Sequence, residues 1–356
     1  MFYVCCCRSC INLGYFEDDF LRLFVRRRTK RPPIINRGYF ARVQAIRQVI
    51  DCFVESTVNT EEGTKGGQIL SLGSGWDTTF FRLKASKCQP GRYIEVDHKQ
   101  VKLLPPFRLL TETNKRVKLK ILVVVFLFRC LKTHTHSQVT TSKCRSVQKN
   151  QSLIDLIAGG GGTLADDVEI DAEGGRIFSE QYALVPCDLR DIEGLKTSLE
   201  VASVNYQAPT LVLLECVLAY LDEDSTRNLL KLISDSFESC CILIYDMIGP
   251  DDPFGQQLIF NVESRGCPLP GIRSFPTKDA HAKLLQQCGF STATGVHNML
   301  EIYQKYLDGA ERKRTERIEF LDELEEWNLI MSHYCLSYGA KGSSPMFSSE
   351  KMPLKL

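Results

Sequence analysis

The sequence predicts an α/β fold, a mainly parallel sheet with helices on both faces, and three observations predict it. Short apolar runs alternate with stretches of helical periodicity, the pattern of repeated strand-to-helix crossovers. Residues 68–83, QILSLGSGWDTTFFRL, break an apolar run at Gly73-Ser74-Gly75 and resume with helix-like spacing. Finally, Gly73, Asp97, Asp188 and Glu215 each stand at the exit of a strand or in the turn after it, where open sheets of this class bind their ligands.

The glycine turn is the first element to justify. Glycines are expected there because a Cβ blocks close approach of a ligand to the backbone, and the following helix start is expected to present unpaired N–H groups and the positive end of its dipole. A nucleotide-like cofactor is the natural guest. A full dinucleotide fingerprint wants a third glycine at position 78, where this chain has Thr78. Downstream, RYIEVD (92–97) reads as a second strand ending in Asp97, an acid spaced to pair with the ribose hydroxyls of a bound adenosine.

Composition limits the alternatives. At 356 residues the chain is long enough for one large α/β domain with an elaborated cap, and a net charge of +1 gives no electrostatic reason to expect nucleic acid or an anionic membrane. Fifteen cysteines scattered through apolar strands such as CCILIY (240–245) fit reduced, buried thiols in a cytosolic protein. Cys7-x-x-Cys10 has no second pair and the six histidines form no H-E-x-x-H, so no metal is expected. The opening MFYVCCCRSC lacks the features of a secretory signal, and ILVVVFLF (121–128) falls far short of the roughly 20 residues that span a bilayer.

Taken in order, FVRRRTKRPP (24–33) is either a basic clamp for an acidic partner or a solvated linker. Residues 36–56 place Phe40, Val43, Ile46, Ile50 and Phe53 on one helical stripe, with Arg37 and Arg42 near the start; an arginine aimed at the glycine turn can hold a carboxylate bidentately. Between 98 and 150 many lysines and arginines surround a β-branched block that finds no partner in the pattern, which reads as an insertion. QYALVPCDLRD (181–191) is a strand closed by Asp188 and Asp191. PTLVLLECVLAYL (209–221) is an apolar run carrying Glu215, whose carboxylate needs a donor or a charged ligand if buried. A helix over 223–238 leads to CCILIYDM (240–247), ending in Asp246. Two late strands are expected within 291–299 and 333–342, with a packed surface helix over 316–327 and a disordered tail.

Several strings, NRGYFARV, LGSGWDTTFFRL, YIEVD, CDLRD, LLECVLAYL, FLDELEEW and HYCLSYGAKG, together resemble the leucine carboxyl methyltransferases. These S-adenosylmethionine-dependent enzymes methylate the C-terminal leucine carboxylate of the protein phosphatase 2A catalytic subunit. The likeness runs from about residue 12 to 342 apart from 98–137. It implies a Rossmann-like class I methyltransferase fold: an arm or lid over 1–35, a methyltransferase domain over 36–342 with an insertion at 98–137, and a tail over 343–356. A cytoplasmic monomer is implied, with S-adenosyl-L-methionine as cofactor and the phosphatase tail as partner.

The resemblance also assigns residues. Arg42 looks like the arginine holding the methionine carboxylate close to the incoming leucine; Gly73 gives the backbone approach beneath the methionine portion; Asp97 takes the ribose hydroxyls. Asp188 and Leu189 frame the adenine, Glu215 lies beside the cofactor's amino group, and Tyr220 orients the target carboxylate. No general base is expected. Two departures stand out: Cys7, beside Arg8, occupies the position of a family lysine, and residues 98–137 have no family counterpart. A catalytically impaired binding module and an NAD-dependent oxidoreductase are the competing readings.

Overall fold

A computed structural model describes residues 2–25, 30–58, 66–99, 101–102, 136–137, 139–158, 168–264 and 266–343. The run 26–29 within the basic arm, nearly all of the 98–137 block, the glycines 159–162 and the tail beyond 343 lie outside the described residues.

The chain begins with α1 (Phe2–Leu13), a single turn α2 (Leu21–Phe24) and the long α3 (Pro33–Val58). All five residues of the expected apolar stripe on α3 are buried, and Cys6, Cys7 and Cys10 bury with them where α1 packs on α3. Next come β1 (Gln68–Leu72), α4 (Thr79–Ala85) and β2 (Arg92–Asp97). Strands β3 (Val101–Lys102) and β4 (His136–Ser137) pair antiparallel as a two-residue ribbon, which sets positions 102 and 136 opposite each other. Then come α5 (Val139–Gln148) and α6 (Gln151–Ala158).

A meander of β5 (Glu169–Asp171), β6 (Arg176–Phe178) and β7 (Tyr182–Pro186) leads through α7 (Ile192–Val201) to β8 (Thr210–Glu215) and a 3-10 turn over Leu218–Tyr220. Then follow α8 (Glu223–Ser236), β9 (Cys240–Met247), α9 (Pro253–Glu263), α10 (Pro270–Ser274) and α11 (Lys278–Gln287). The last stretch is β10 (Ala293–Asn298), α12 (Met299–Lys305), α13 (Gly309–Glu316), α14 (Leu324–Ser332) and β11 (Tyr334–Lys341). Side-chain carboxylates start several helices: Asp191, Asp222 and Asp252 each accept an N–H from the first turn of α7, α8 and α9.

Among the described residues nine strands form one sheet in the order β10-β11-β9-β8-β1-β2-β7-β6-β5. The central five, β7, β2, β1, β8 and β9, run parallel, whereas β11 is antiparallel to both of its neighbours. Alternate strand residues feed two cores. Ile69, Leu211, Leu213 and Leu243 face the helices of the N-terminal region, and Leu70, Val212, Leu214 and Ile244 face α7, α8 and α11. Coverage of both faces explains why these strands read as continuous apolar runs. The order reverses between β1 and β8, so the crevice at that switch point is where a ligand is expected. Among the described residues no helix is long and apolar enough to cross a membrane.

One expected element is absent. Residues 316–327 do not form a helix: α13 ends at Glu316 and α14 begins at Leu324. Tertiary contacts override the periodicity, because Glu319 in the gap is claimed from three sides. Its carboxylate accepts from Tyr15 Oη at 3.2 Å and Asn36 Nδ2 at 2.7 Å, and its carbonyl accepts from Arg37 at 3.3 Å.

Candidate active site

The four strand-exit residues stand on neighbouring strands along one edge of the sheet. Leu72 pairs with Val96 on one side and Leu214 on the other, and Asp97 pairs with Pro186, so Asp188, Asp97, Gly73 and Glu215 follow one another across β7, β2, β1 and β8. Gly73 adopts φ +71°, donates its N–H to the Val96 carbonyl at 2.7 Å, and has Val217 Cγ2 only 2.7 Å from where a Cβ would lie. Any other residue is excluded sterically as well as conformationally. Gly75 also has positive φ, +57°, but a Cβ there would meet nothing within 4 Å, so its backbone faces open space.

Asp97 closes the turn onto β2 by accepting the N–H groups of Gly75 and His98. Burial pushes its carboxyl above the usual range, and those two N–H groups oppose the shift. His98 also leads to the next acid, its Nε2 lying 3.3 Å from Asp188 Oδ2. Arg190 grips Asp188 at 2.6 and 2.9 Å and holds its pKa down to about 2. Leu189 is buried and packs into the core on the α7–α8 side.

On the other side of the glycine turn, Arg42 reaches from α3 to Glu215 at the end of β8, with Nη2 at 2.8 Å and Nε at 3.1 Å from Oε2. Burial raises the pKa of Glu215 and the guanidinium partly offsets that rise. The Arg42 guanidinium also lies over the Tyr245 ring, which is stacked on Tyr334 at 5.4 Å. After Glu215 the chain turns sharply at Cys216, φ +56°, and enters the 3-10 turn that carries Tyr220, which is 46% exposed. Asp246 fastens that turn, accepting the Ala219 N–H at 3.0 Å, and burial pushes its carboxyl up to about 6. Sequence reasoning noted Asp246 only as a strand end.

The expected anion seat at the start of α4 is already filled. Asp77 Oδ1 accepts the Thr79 N–H at 3.0 Å and its hydroxyl at 2.7 Å, while Thr78 Oγ1 donates to Asp18 of the arm at 2.6 Å. Two carboxylates therefore stand where a bound phosphate would need positive potential. Beside them a small pocket is lined by Cys7, Leu21, Trp76, Asp77, Thr78 and Glu215, among others, so the N-terminal arm forms one wall of this pocket, which Glu215 reaches and Gly73, Asp97 and Asp188 do not line.

Two further site-linked groups escaped sequence reasoning. Glu95 of β2 and Lys143 of α5 are both fully buried and form an ion pair, and Lys143 also reaches Asp77. Burial pushes the Glu95 carboxyl up to about 7 against the pull of Lys143. The signal was present for Glu95, an acid inside the apolar run RYIEVD, as it was for Glu215; Lys143 lay in a polar string with nothing to mark it.

Comparison with known proteins bears directly on this arrangement. The leucine carboxyl methyltransferase family profile matches residues 12–234. A leucine carboxyl methyltransferase 1 homolog from Arabidopsis thaliana is 34% identical over 339 residues, covering 95% of this chain and 87% of that protein. Leucine carboxyl methyltransferase 1 from Bos taurus is 32% identical, covering 96% and 88%. A human tRNA wybutosine-synthesizing protein 4 is 28% identical, covering 95% of this chain but only 43% of its own length. With its parallel central strands, its glycine turn at the switch point and these relatives, the chain belongs to the leucine carboxyl methyltransferase family, whose members take their methyl group from S-adenosylmethionine.

Proposed function

We propose that this methyltransferase esterifies the C-terminal leucine carboxylate of the protein phosphatase 2A catalytic subunit, and that it works as a cytoplasmic monomer. The observation that carries the reading is the Arg42–Glu215 pair at the switch point. An amino-acid head group bears a carboxylate and an ammonium side by side, so it complements an arginine and a glutamate already held together. Arg42 would hold the carboxylate and Glu215 the ammonium. The open space over Gly75 leaves room for the ligand against the backbone, and Asp97 and Asp188 would receive the ribose and adenine ends, with Leu189 beside them. These residues fit S-adenosylmethionine, which carries no phosphate; the acids Asp18 and Asp77 at the α4 start argue against a pyrophosphate-bearing nicotinamide cofactor.

When bound, the cofactor supplies an activated methyl on a cationic sulfonium. The rest of the chemistry belongs to positioning. A leucine carboxylate is ionised at neutral pH, so no residue has to remove a proton. Arg42 orients that carboxylate, the half-exposed Tyr220 on the turn after β8 offers a phenol, and the arm, whose Cys7, Phe16 and Leu21 line the pocket, excludes water, which strengthens every charge interaction inside. Burial of most of the described cysteines in the apolar cores supports a reducing compartment.

Titration of S-adenosylmethionine by calorimetry, followed by methyl transfer to a peptide or phosphatase ending in free leucine, tests the proposal. Transfer to the free tail and none to an amidated tail is the expected result. Cofactor binding without transfer would reassign the chain to a binding module.

A further inference from the structure

Lys143 has no solvent exposure, although lysine is almost never fully buried unless paired. Its ammonium meets three separate parts of the site. It donates to the Asp77 carbonyl at 2.7 Å, in the turn that follows Gly75, and to Glu95 Oε2, two residues before Asp97 on β2. It also lies 5.9 Å from the ring centroid of Phe24 on α2 of the arm, and Phe24 packs against Trp76 at 5.9 Å. Tyr93 Oη donates to the other end of Asp77, Oδ2, at 2.7 Å.

An apolar pair of similar volume commonly holds a fold as well as a buried ion pair does, so stability alone does not account for the charges. Direction does. Hydrogen bonds from one ammonium fix where the Asp77 carbonyl points, and with it the peptide between Asp77 and Thr78, which closes the turn whose Gly75 N–H reaches Asp97. We propose that Lys143 is a positioning residue of the cofactor site: by joining Asp77, Glu95 and Phe24 it locks the glycine turn, β2 and the arm into the one arrangement that binds the cofactor. The inference rests on the cofactor reading above and adds to it a dependence on α5, none of whose residues lines the pocket beside Glu215.

Trp76 sits inside the turn and Trp327 is the only other tryptophan, so a Trp327→Phe background makes fluorescence report the turn without any cofactor. In that background the double variant Lys143→Met/Glu95→Leu is expected to keep a urea midpoint at or above that of the parent. Acrylamide quenching of Trp76 should rise, and the dissociation constant for S-adenosylmethionine should rise by about tenfold or more, the usual scale for a displaced binding group. At saturating cofactor kcat should be nearly unchanged, with the loss appearing in KM for the cofactor. A folded double variant with parental quenching and parental affinity overturns the proposal. If the double variant fails to fold, Glu95→Gln, which keeps the volume and removes the charge, carries the same test: raised quenching and weaker binding support it, and parental values overturn it. Should the parent itself not bind S-adenosylmethionine, the cofactor reading fails, while the quenching result still decides whether Lys143 positions the turn.

Discussion

Arg42 lays its guanidinium 4.3 Å from the ring centroid of Tyr245. The same group gives two N–H bonds to Glu215, so the arginine is held by a ring face and by a carboxylate edge at once. A ligand carboxylate that displaces Glu215 still finds the guanidinium plane held by the ring, which makes the aromatic contact part of the arginine's aim.

Arg42→Lys keeps the charge and loses the planar fork. It should fold normally and bind S-adenosylmethionine about tenfold more weakly or worse, the cost typical of truncating a hydrogen-bonded charge pair. Arg42→Ala should reduce methyl transfer further, and Tyr245→Phe should be nearly silent where Tyr245→Leu is not. Calorimetric titration alongside a transfer assay separates these outcomes, and near-normal turnover by Arg42→Ala contradicts its assigned role.

The two glycines of the turn should respond differently to alanine. At Gly73 the added methyl meets Val217 as well as an unfavourable φ, so Gly73→Ala is expected to destabilise the fold by about 2 kcal/mol or more. At Gly75 only the conformational cost of about 1 kcal/mol applies, because the methyl enters open space. Gly75→Ala should therefore show its main effect as weakened cofactor binding. Urea denaturation and cofactor titration of both variants check the contrast.

Acid should destabilise the protein through His281 on α11. This ring is buried beside Ser337 and Phe275, and burial lowers its pKa from 6.5 to about 4. Because the folded pKa is depressed, the unfolded chain takes up the proton first. Stability falls as pH drops below about 6.5 and this contribution levels off near 4, a loss of about 3 kcal/mol. His281→Gln should flatten that part of the pH profile of the denaturation midpoint; an unchanged slope would show that other groups produce it.

Positions 102 and 136 face each other across the β3–β4 pairing. Replacing residues 103–135 with Asn-Gly, a pair suited to a two-residue hairpin turn, should preserve both the fold and cofactor binding. Circular dichroism melts and titration of the shortened chain test the proposal that 98–137 is a peripheral insertion. Loss of folding on excision would show that the segment belongs to the core.

What the sequence could and could not reveal follows from how local each determinant is. Strands β2 and β9 were legible to the residue, 92–97 and 240–247, because burial on both faces leaves a mostly apolar run that ends in an acid or the residue after one. The glycine turn and the acids at strand exits were legible for the same reason, since each directly follows such a run. The break at 317–323 was not, because Glu319 is held by Tyr15, Asn36 and Arg37, all more than 280 residues away. The filled helix start was hidden likewise, as Asp18 arrives from the arm. Lys143 gave no local sign: its burial depends on Glu95 and Asp77, which only the folded sheet brings to it.

Strand β11 is the last of the sheet to be made, yet it sits between β9 and β10 and pairs with both. During synthesis β9 must wait on the ribosome with one edge unpaired until residues 334–341 emerge. A stop codon upstream of Tyr334 would remove an interior strand and leave a nascent product prone to edge-to-edge association, so such truncations should behave as null alleles rather than weakened ones.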